Sequence, residues 1–159
     1  MGPRSIAISS DGSTIALGSQ LHDGAAGANT GQVRFFTRSG LTITQTGTTS
    51  GNHLLTTEAS GSSSFSVVLN AKPTDDVVVN ITGGDASEFS LSSSSLTFTS
   101  ANWETPQTIT VTGVDDNSTD GDITTTLTAT ASNTGGYAGT EQASTTVITT
   151  DTEEAGITI

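Results

Sequence analysis

The chain has 159 residues and a formal net charge of −12, and serine and threonine make up about a third of it. Nucleic acid and anionic membrane surfaces are excluded as partners, because proteins bind both through clustered lysine and arginine, and the chain has four such residues in all. No apolar stretch approaches the roughly 18 residues of a membrane-spanning helix, which excludes membrane insertion. The absence of cysteine excludes a disulfide framework.

Short alternating segments separated by turns fill the first 46 residues, and no helical period of useful length occurs in the chain. Asp11-Gly12, between two alternating segments, is the strongest short signal for a β-hairpin. Strands are predicted at residues 5–9, 13–19, 32–38 and 41–46. Because four strands in about 45 residues make one blade of a β-propeller, residues 1–46 are predicted to form a blade-like set of hairpins.

The segment from Ser5 to about Arg38 resembles the integrin-like FG-GAP repeats of bacterial surface proteins. Like them, it has a strand, a Ser-Asp-Gly turn, an Ala-x-Gly strand and a His-Asp-Gly loop. The resemblance implies a single propeller blade, which cannot close a ring and leaves both of its edges unpaired. Either the segment belongs to something longer, or its hairpins pack on the following domain.

Strands recur at the regular spacing of a β-sandwich in the second part of the chain. They are predicted at residues 64–70, 76–83, 95–100, 107–114, 123–132 and 143–150, and residues 53–58 could add a seventh. Residues 47–155 are therefore predicted to form an antiparallel β-sandwich domain. Trp103 is predicted to cap one end of its core. The other inward positions are expected to be Phe65, Val67, Leu69, Val77, Val79, Ile81, Leu96, Phe98, Ile109, Val111, Leu127 and Val147.

One loop of this domain carries four acids within eight residues: Asp115, Asp116, Asp120 and Asp122. Carboxylate oxygens are the hard ligands that calcium prefers, and like charges this dense repel one another unless a cation neutralises them. Aspartate and glycine also favour turns in the absence of any metal. The pattern alone therefore leaves a calcium site and a solvated turn as alternatives.

Three blocks of the second part carry a further resemblance: TEASGSSSFSVVLNAKPTDDVVVNI, LTFTSANWETPQTITVTGVDDNSTDGD and TTDTEEAGITI. Residues 41–159 resemble the Calx-beta-like repeats of large bacterial adhesins and surface proteins, which are relatives of the calcium-binding domains of sodium-calcium exchangers. The resemblance implies an all-β, immunoglobulin-like antiparallel sandwich that binds calcium. The calcium ligands that it implies are Glu58, Asp85, Asp115, Asp116, Asp120 and Asp151. The final cluster reads DTEE in place of a run of aspartates, so a single site is expected.

Residues 156–159, GITI, echo the GLTI of residues 40–43 at a distance of 116 residues. Each stands at one boundary of a complete sandwich. Residues 156–159 are therefore predicted to be the first strand of a following repeat, or a donor strand that completes the sheet of a neighbouring copy.

Catalytic chemistry has little support in the sequence. The motifs GxSxG and HExxH and a phosphate-binding glycine loop are all absent, and His22 and His53 lie in different segments of a chain without cysteine. No catalytic residue is assigned, and the chain is not expected to be an enzyme.

The chain is therefore predicted to be a structural or adhesive module of an extracellular bacterial surface protein, stiffened by calcium. Its expected location is extracellular or on the cell surface, with an export signal outside this chain, because no continuous apolar segment follows Met1. Its expected partners are adjacent repeats or neighbouring copies, bound through β-strand edges. The alternative is a self-assembling subunit of an extracellular fibre, a homopolymer built by β-strand addition between copies.

Overall fold

A computed structural model describes residues 4–8, 14–19, 32–37 and 39–153. The chain divides into two compact units, Met1–Arg38 and Ser39–Ile159. The described residues contain thirteen β-strands. No helix in the described ranges is long and apolar enough to cross a membrane.

The first unit contains an antiparallel sheet of three consecutive strands, β1 (Arg4–Ile8), β2 (Thr14–Ser19) and β3 (Gln32–Thr37). Ile6 lies opposite Leu17, and Ile8 lies opposite Ile15, so these four side chains share one face of the sheet. They are exposed, and Ile6 keeps 68% of its accessible surface. The predicted hairpins are therefore present as a small sheet with an apolar face.

The fourth strand predicted for this sheet belongs to the other unit. β4 (Leu41–Gln45) pairs with Leu69 and the residues before it, and its Leu41 is buried in the core of the sandwich. The described first unit therefore has three strands in place of four, and the resemblance to a propeller blade finds no support. Because β4 completes the sandwich, the second compact unit begins at Ser39. The sequence predicts this domain boundary after residue 46.

The second unit is a sandwich of two sheets. Its strands after β4 are β5 (Thr49–Ser50), β6 (His53–Thr57), β7 (Ser62–Leu69), β8 (Val77–Thr82), β9 (Phe89–Leu91), β10 (Ser95–Phe98), β11 (Gln107–Gly113), β12 (Ile123–Ala131) and β13 (Gln142–Thr150). The six-stranded sheet has the order β10-β8-β12-β13-β6-β5, and the four-stranded sheet has the order β4-β7-β11-β9. All strand pairs are antiparallel except β13 with β6, which run parallel.

Alternation of inward and outward positions along the strands builds the core between the two sheets. In β8, for example, Val77, Val79 and Ile81 are buried, while the residues between them face solvent. All twelve inward positions predicted from the sequence are buried, and residues 53–58 supply a strand, β6, as expected. Trp103 is half-buried and packs against this core. The strands β5 and β9, which have two and three residues, were not predicted.

The chain enters the sandwich at one end and leaves it at the opposite end. At the beginning, the Ser39 hydroxyl donates a hydrogen bond of 2.6 Å to Glu141, which directly precedes β13. Further along β4, the side-chain amide of Gln45 donates to the Thr145 hydroxyl at 3.0 Å. β4 therefore lies along the first half of β13. The chain leaves after Thr150, at the far end of β13.

Candidate functional site

Several strand ends meet where the chain leaves the sandwich. β6 and β13 run parallel and pair Thr57 with Thr150, so Glu58 and Asp151 follow at the same level. The first residue of β12, Ile123, pairs with Thr149 and brings the end of the preceding loop to the same place. In the other sheet, Phe89 pairs with Gly113, which places Glu88 beside the end of β11. The pairing registers thus gather acids that are far apart in sequence.

Gly113 lets the two sheets approach closely at this end. A Cβ atom at this position would overlap the carbonyl oxygen of Thr57, at the end of β6. The Gly113 amide donates to the Gly61 carbonyl at 2.9 Å, and the next amide, of Val114, donates to the Glu88 carbonyl at 2.9 Å. The absence of a side chain at Gly113 therefore brings the backbones that carry Glu58 and Glu88 together.

Glu58 is the central residue of the acidic cluster, which consists of Glu58, Glu88, Asp120, Asp151 and Glu153. One oxygen each from Glu58, Asp151 and Glu153 lie within 4.8 Å of one another. One oxygen each from Glu58, Glu88 and Asp120 form a second set with the same spacing. Because calcium binds oxygens at about 2.3 to 2.6 Å, ligand oxygens around one ion lie up to roughly 5 Å apart, and either set fits such an ion.

Backbone amides bind the segment after β13 to the loop before β12. The Gly121 amide donates to Asp151 at 2.7 Å, and the Glu153 amide donates to the other oxygen of the same carboxylate at 2.8 Å. The Asp151 amide in turn donates to Asp122 at 3.3 Å. These bonds orient the Asp151 carboxylate and fix the segment of Glu153 against Glu58, whose carboxylate accepts from the Thr152 amide at 3.3 Å.

Three acids of the cluster have a pKa raised above its ordinary value. Burial, followed by the charges of Asp120 and Glu58, raises the pKa of Glu88. Loss of solvent, followed by the charge of Asp116, raises the pKa of Asp120. A shared hydrogen bond with Glu58 raises the pKa of Glu153 to about 7. Asp151 is the exception, because the amides of Gly121 and Glu153 hold its pKa below the usual range. The cluster therefore has a strong electrostatic preference for positive charge.

Two carboxylate oxygens of the cluster are buried without a hydrogen-bond partner among the described residues, Oε2 of Glu88 and Oε2 of Glu153. Glu88 as a whole is 3% exposed, and Glu58 is 1% exposed. A buried carboxylate without a partner is costly, and native structures satisfy such groups with hydrogen bonds, cations or protons. Lys72 is the only lysine or arginine in residues 39–159. A single lysine cannot neutralise five clustered acids. The donor set consists of carboxylate oxygens and fits calcium.

The structure brings together three of the six ligands that the resemblance implies: Glu58, Asp120 and Asp151. Asp115 and Asp116 lie outside both oxygen sets but close enough for their charges to act on the cluster. Asp85 does not join the cluster. Its carboxylate is exposed and accepts hydrogen bonds from the amide and hydroxyl of Ser87, at 3.0 and 2.6 Å, so it forms a local turn.

Glu88 and Glu153 were not predicted as ligands. Glu88 lies three residues after Asp85, in the same loop, and directly before a strand too short to recognise from its pattern. Glu153 belongs to the DTEE cluster, in which the resemblance assigns only Asp151. An acid directly before or after a predicted strand, at the end where other acids collect, is the signal that could have identified both.

The raised pKa values predict how the ion-free sandwich responds to pH. Between pH of about 4.5 and 7, folded Glu153 holds a proton that the unfolded chain has released, so stability is present below this range and is lost as the pH rises through it. We expect thermal melts in chelator to give a higher midpoint at pH 5 than at pH 7.5. Glu153→Gln should weaken this dependence, and an unchanged profile in the variant would contradict the assignment.

Neither a protein-family model nor a curated protein matches the chain. Among solved structures, it is similar to the periplasmic chaperone SfaE, with a TM-score of 0.51 and 8% identity over 74% of this chain and 60% of that one. It is also similar to the YadV chaperone, with a TM-score of 0.49 and 13% identity over 74% of this chain and 54% of that one. A third similarity is to the apo form of the Calx CBD1 domain, with a TM-score of 0.46 and 18% identity over 64% of this chain and 92% of that one. The chain thus spans less than two thirds of the two chaperones. The similarity to SfaE is one of fold, and together with the two-sheet architecture it makes the second unit an immunoglobulin-like β-sandwich.

Proposed function

We propose that the sandwich is a calcium-binding structural module of an extracellular bacterial surface protein, of the Calx-beta-like kind. The observation that carries this proposal is the pair of oxygen sets that share the buried carboxylate of Glu58. The partnerless buried oxygen of Glu88 supports it, because Glu88 belongs to one of these sets. A divalent cation would neutralise acids that otherwise repel one another.

Calcium suits this donor set better than magnesium does. Calcium accepts six to eight oxygens in irregular geometry and takes carboxylates from several directions. Magnesium demands near-octahedral geometry and keeps several of its waters. The cluster draws its oxygens from four different segments of chain: after β6, before β9, before β12 and after β13. Because four segments position these ligands, an ion that accepts irregular coordination geometry suits them better.

Bound calcium would stiffen the end of the module where the chain leaves it. Glu58 and Glu88 belong to the two sheets of the sandwich, while Asp151 and Glu153 belong to the departing segment. An ion held by these side chains would join the two sheets and fix the direction of whatever follows. Stiffening the junction to a neighbouring domain is the structural role that we propose, in an extracellular location where calcium is plentiful.

Calcium is expected to raise the stability of the full chain. Extracellular calcium modules bind with a Kd on the order of 10⁻⁴ to 10⁻³ M. Calcium at about 2 mM should therefore add roughly 0.6 to 1.8 kcal/mol to the free energy of unfolding by mass action. Melting curves in calcium and in chelator measure this gain directly.

Matched variants locate the effect. Glu58→Gln keeps the size of the side chain but removes the charge shared by both oxygen sets, so it should abolish the response to calcium. Glu104→Gln makes the same change at an exposed acid far from the cluster. Glu104 follows Trp103, whose carbonyl accepts a hydrogen bond from Leu69 at the end of β7. This variant should keep the full response to calcium. Equal melting midpoints of the wild-type chain with and without calcium would contradict the calcium site. The acids would then be turn-forming residues only.

We propose no catalytic role, since the acids serve as a cation site at strand ends and no nucleophile with a base was identified in the sequence. A second candidate function is self-assembly by β-strand addition between copies. The free edge of β4, the outermost strand of the four-stranded sheet, favours this candidate.

A further inference from the structure

The outer edge of β4 carries main-chain groups that no neighbouring strand of the sandwich pairs. The Asn70 amide donates to the Gly40 carbonyl, and the Thr46 amide donates to the Ser64 carbonyl. In an antiparallel pair, residues bonded to the partner strand alternate with residues whose main-chain groups point away. The even-numbered residues therefore bond β7, and the amides and carbonyls of Leu41, Ile43 and Gln45 point outward. In the described part of the sandwich, β4 is the last strand of its sheet.

An open groove of about 530 Å³ accompanies this strand. Its walls are uncharged, and they come from β4, from Asn52 and from the first half of β13; the lining residues are Ile43, Thr44, Gln45, Asn52, Ser144, Thr145 and Thr146. An added strand at the edge of β4 would extend the sheet and lay its inward side chains toward this groove. The groove therefore places hydroxyl and amide groups, and no charge, beside an added neutral strand.

The chain contains such a segment at residues 156–159, which lie outside the described residues. Its sequence, GITI, matches the GLTI of residues 40–43 at three of four positions and replaces a leucine by isoleucine at the other. In β4 the first and third apolar positions, Leu41 and Ile43, face the interior, while Thr42 is exposed. Ile157 and Ile159 would face the same way beside them, with Thr158 outward.

Chain length excludes the segment of the same copy as the occupant. Gln45 bonds Thr145, whereas Glu153 lies beside Glu58, one position beyond the pair of Thr57 with Thr150. At about 3.3 Å per residue, this difference in level along β13 is roughly 20 Å. Ile157 is four residues from Glu153 and can reach back at most roughly 14 Å. The occupant must come from a second copy.

We propose that residues 156–159 of one copy add as a strand to the free edge of β4 in another copy. This inference rests on the second candidate function and names its donor and acceptor. The contact is heterologous, because each copy offers a donor and an acceptor that differ, so it propagates into chains of copies. Repulsion between copies of net charge −12 should make the assembly weaker at low salt than at high salt.

Sedimentation velocity of the full chain over a wide range of concentration tests the proposal. We expect wild-type mass to rise above the monomer with concentration. Ile157→Lys places a charge on the inward side of the donor and should return the chain to a monomer. Thr158→Lys adds the same charge on the outward side of the same segment and should leave assembly intact. A wild-type chain that is monomeric at every concentration would overturn both the proposal and the second candidate function.

The acceptor is tested separately with Ile43→Pro. Proline at this position removes an amide that points away from β7, so the pairing of β4 with β7 should survive. A mixture of Ile43→Pro, which can only donate, with Ile157→Lys, which can only accept, should form dimers that grow no further. Polymers that persist in the Ile157→Lys variant would overturn the proposed donor while leaving strand addition open. Calcium binding is measured independently in all variants and does not depend on the result.

Discussion

Replacing Gly113 with alanine is expected to destabilise the sandwich by about 3 kcal/mol or more. Overpacking normally costs about 1 to 3 kcal/mol, because neighbouring side chains move aside. At Gly113 the added methyl group would overlap the backbone carbonyl of Thr57, which belongs to a strand end and cannot turn away. Relief would require the two sheets to separate where Glu58 and Glu88 meet. We therefore expect the variant to lose calcium stabilisation as well.

Chemical denaturation of Gly113→Ala, with and without calcium, measures both effects. Gly40→Ala is the matched control, because a Cβ at Gly40 would meet only the side chain of Asn70, at 3.1 Å from its amide nitrogen. That side chain can rotate, and the control should stay within about 1 kcal/mol of the wild-type chain. A Gly113→Ala variant as stable as this control would refute the close approach of the two sheets.

Phe65→Ala is expected to destabilise the sandwich by about 3 to 5 kcal/mol. The ring is 0% exposed and lies in β7 at the centre of the four-stranded sheet, opposite Gln45 of β4 and Ile109 of β11. Its removal loses the transfer free energy of burying the ring. It also leaves a cavity between the two sheets, next to a strand that is paired on both sides. Because Phe65 lies four residues along the chain from Gly61, which bonds Gly113 at the end of the acidic cluster, the remaining folded protein should still respond to calcium.

Val78→Ala controls for the loss of an apolar side chain in a strand of the sandwich. Val78 keeps 37% of its surface exposed and faces away from the core, although its neighbours Val77 and Val79 are fully buried. Its truncation should cost less than about 1 kcal/mol. Similar losses of stability in the two variants would mean that the alternation assigned to these strands has the wrong register.

The sequence alone was sufficient to predict the fold class and the core of the second unit. Period-two alternation reflects the burial of each strand residue directly, which is why the inward positions Phe65, Val67 and Leu69 could be identified from the pattern of β7. The assignment of β4 to a sheet could not be predicted in the same way. Its pairing with Leu69 depends on a contact between residues 28 positions apart, and alternation contains no information about which strand is the neighbour.

The candidate site was predicted in part for a related reason. Glu58, Asp120 and Asp151 stand at the ends of recognisable strands, and the resemblance to Calx-beta-like repeats points to all three. Glu88 is an isolated acid in a polar loop, and its place in the cluster depends on the pairing of Phe89 with Gly113. The resemblance also implies Asp85, whose carboxylate accepts a hydrogen bond from the Ser87 hydroxyl.

The positions at which the chain begins and leaves the sandwich determine how the module would bear a mechanical load. A force applied between Ser39 and Glu153 would pull β4 and β13 along their own lengths, in opposite directions. Both strands lie against partners, β4 against β7 and β13 against β12 and β6. Such a force shears all the hydrogen bonds of a strand pair at once, whereas a force across the strands would open them one at a time. The sandwich is therefore oriented to resist extension, and the acidic cluster lies at the point where the load enters β13.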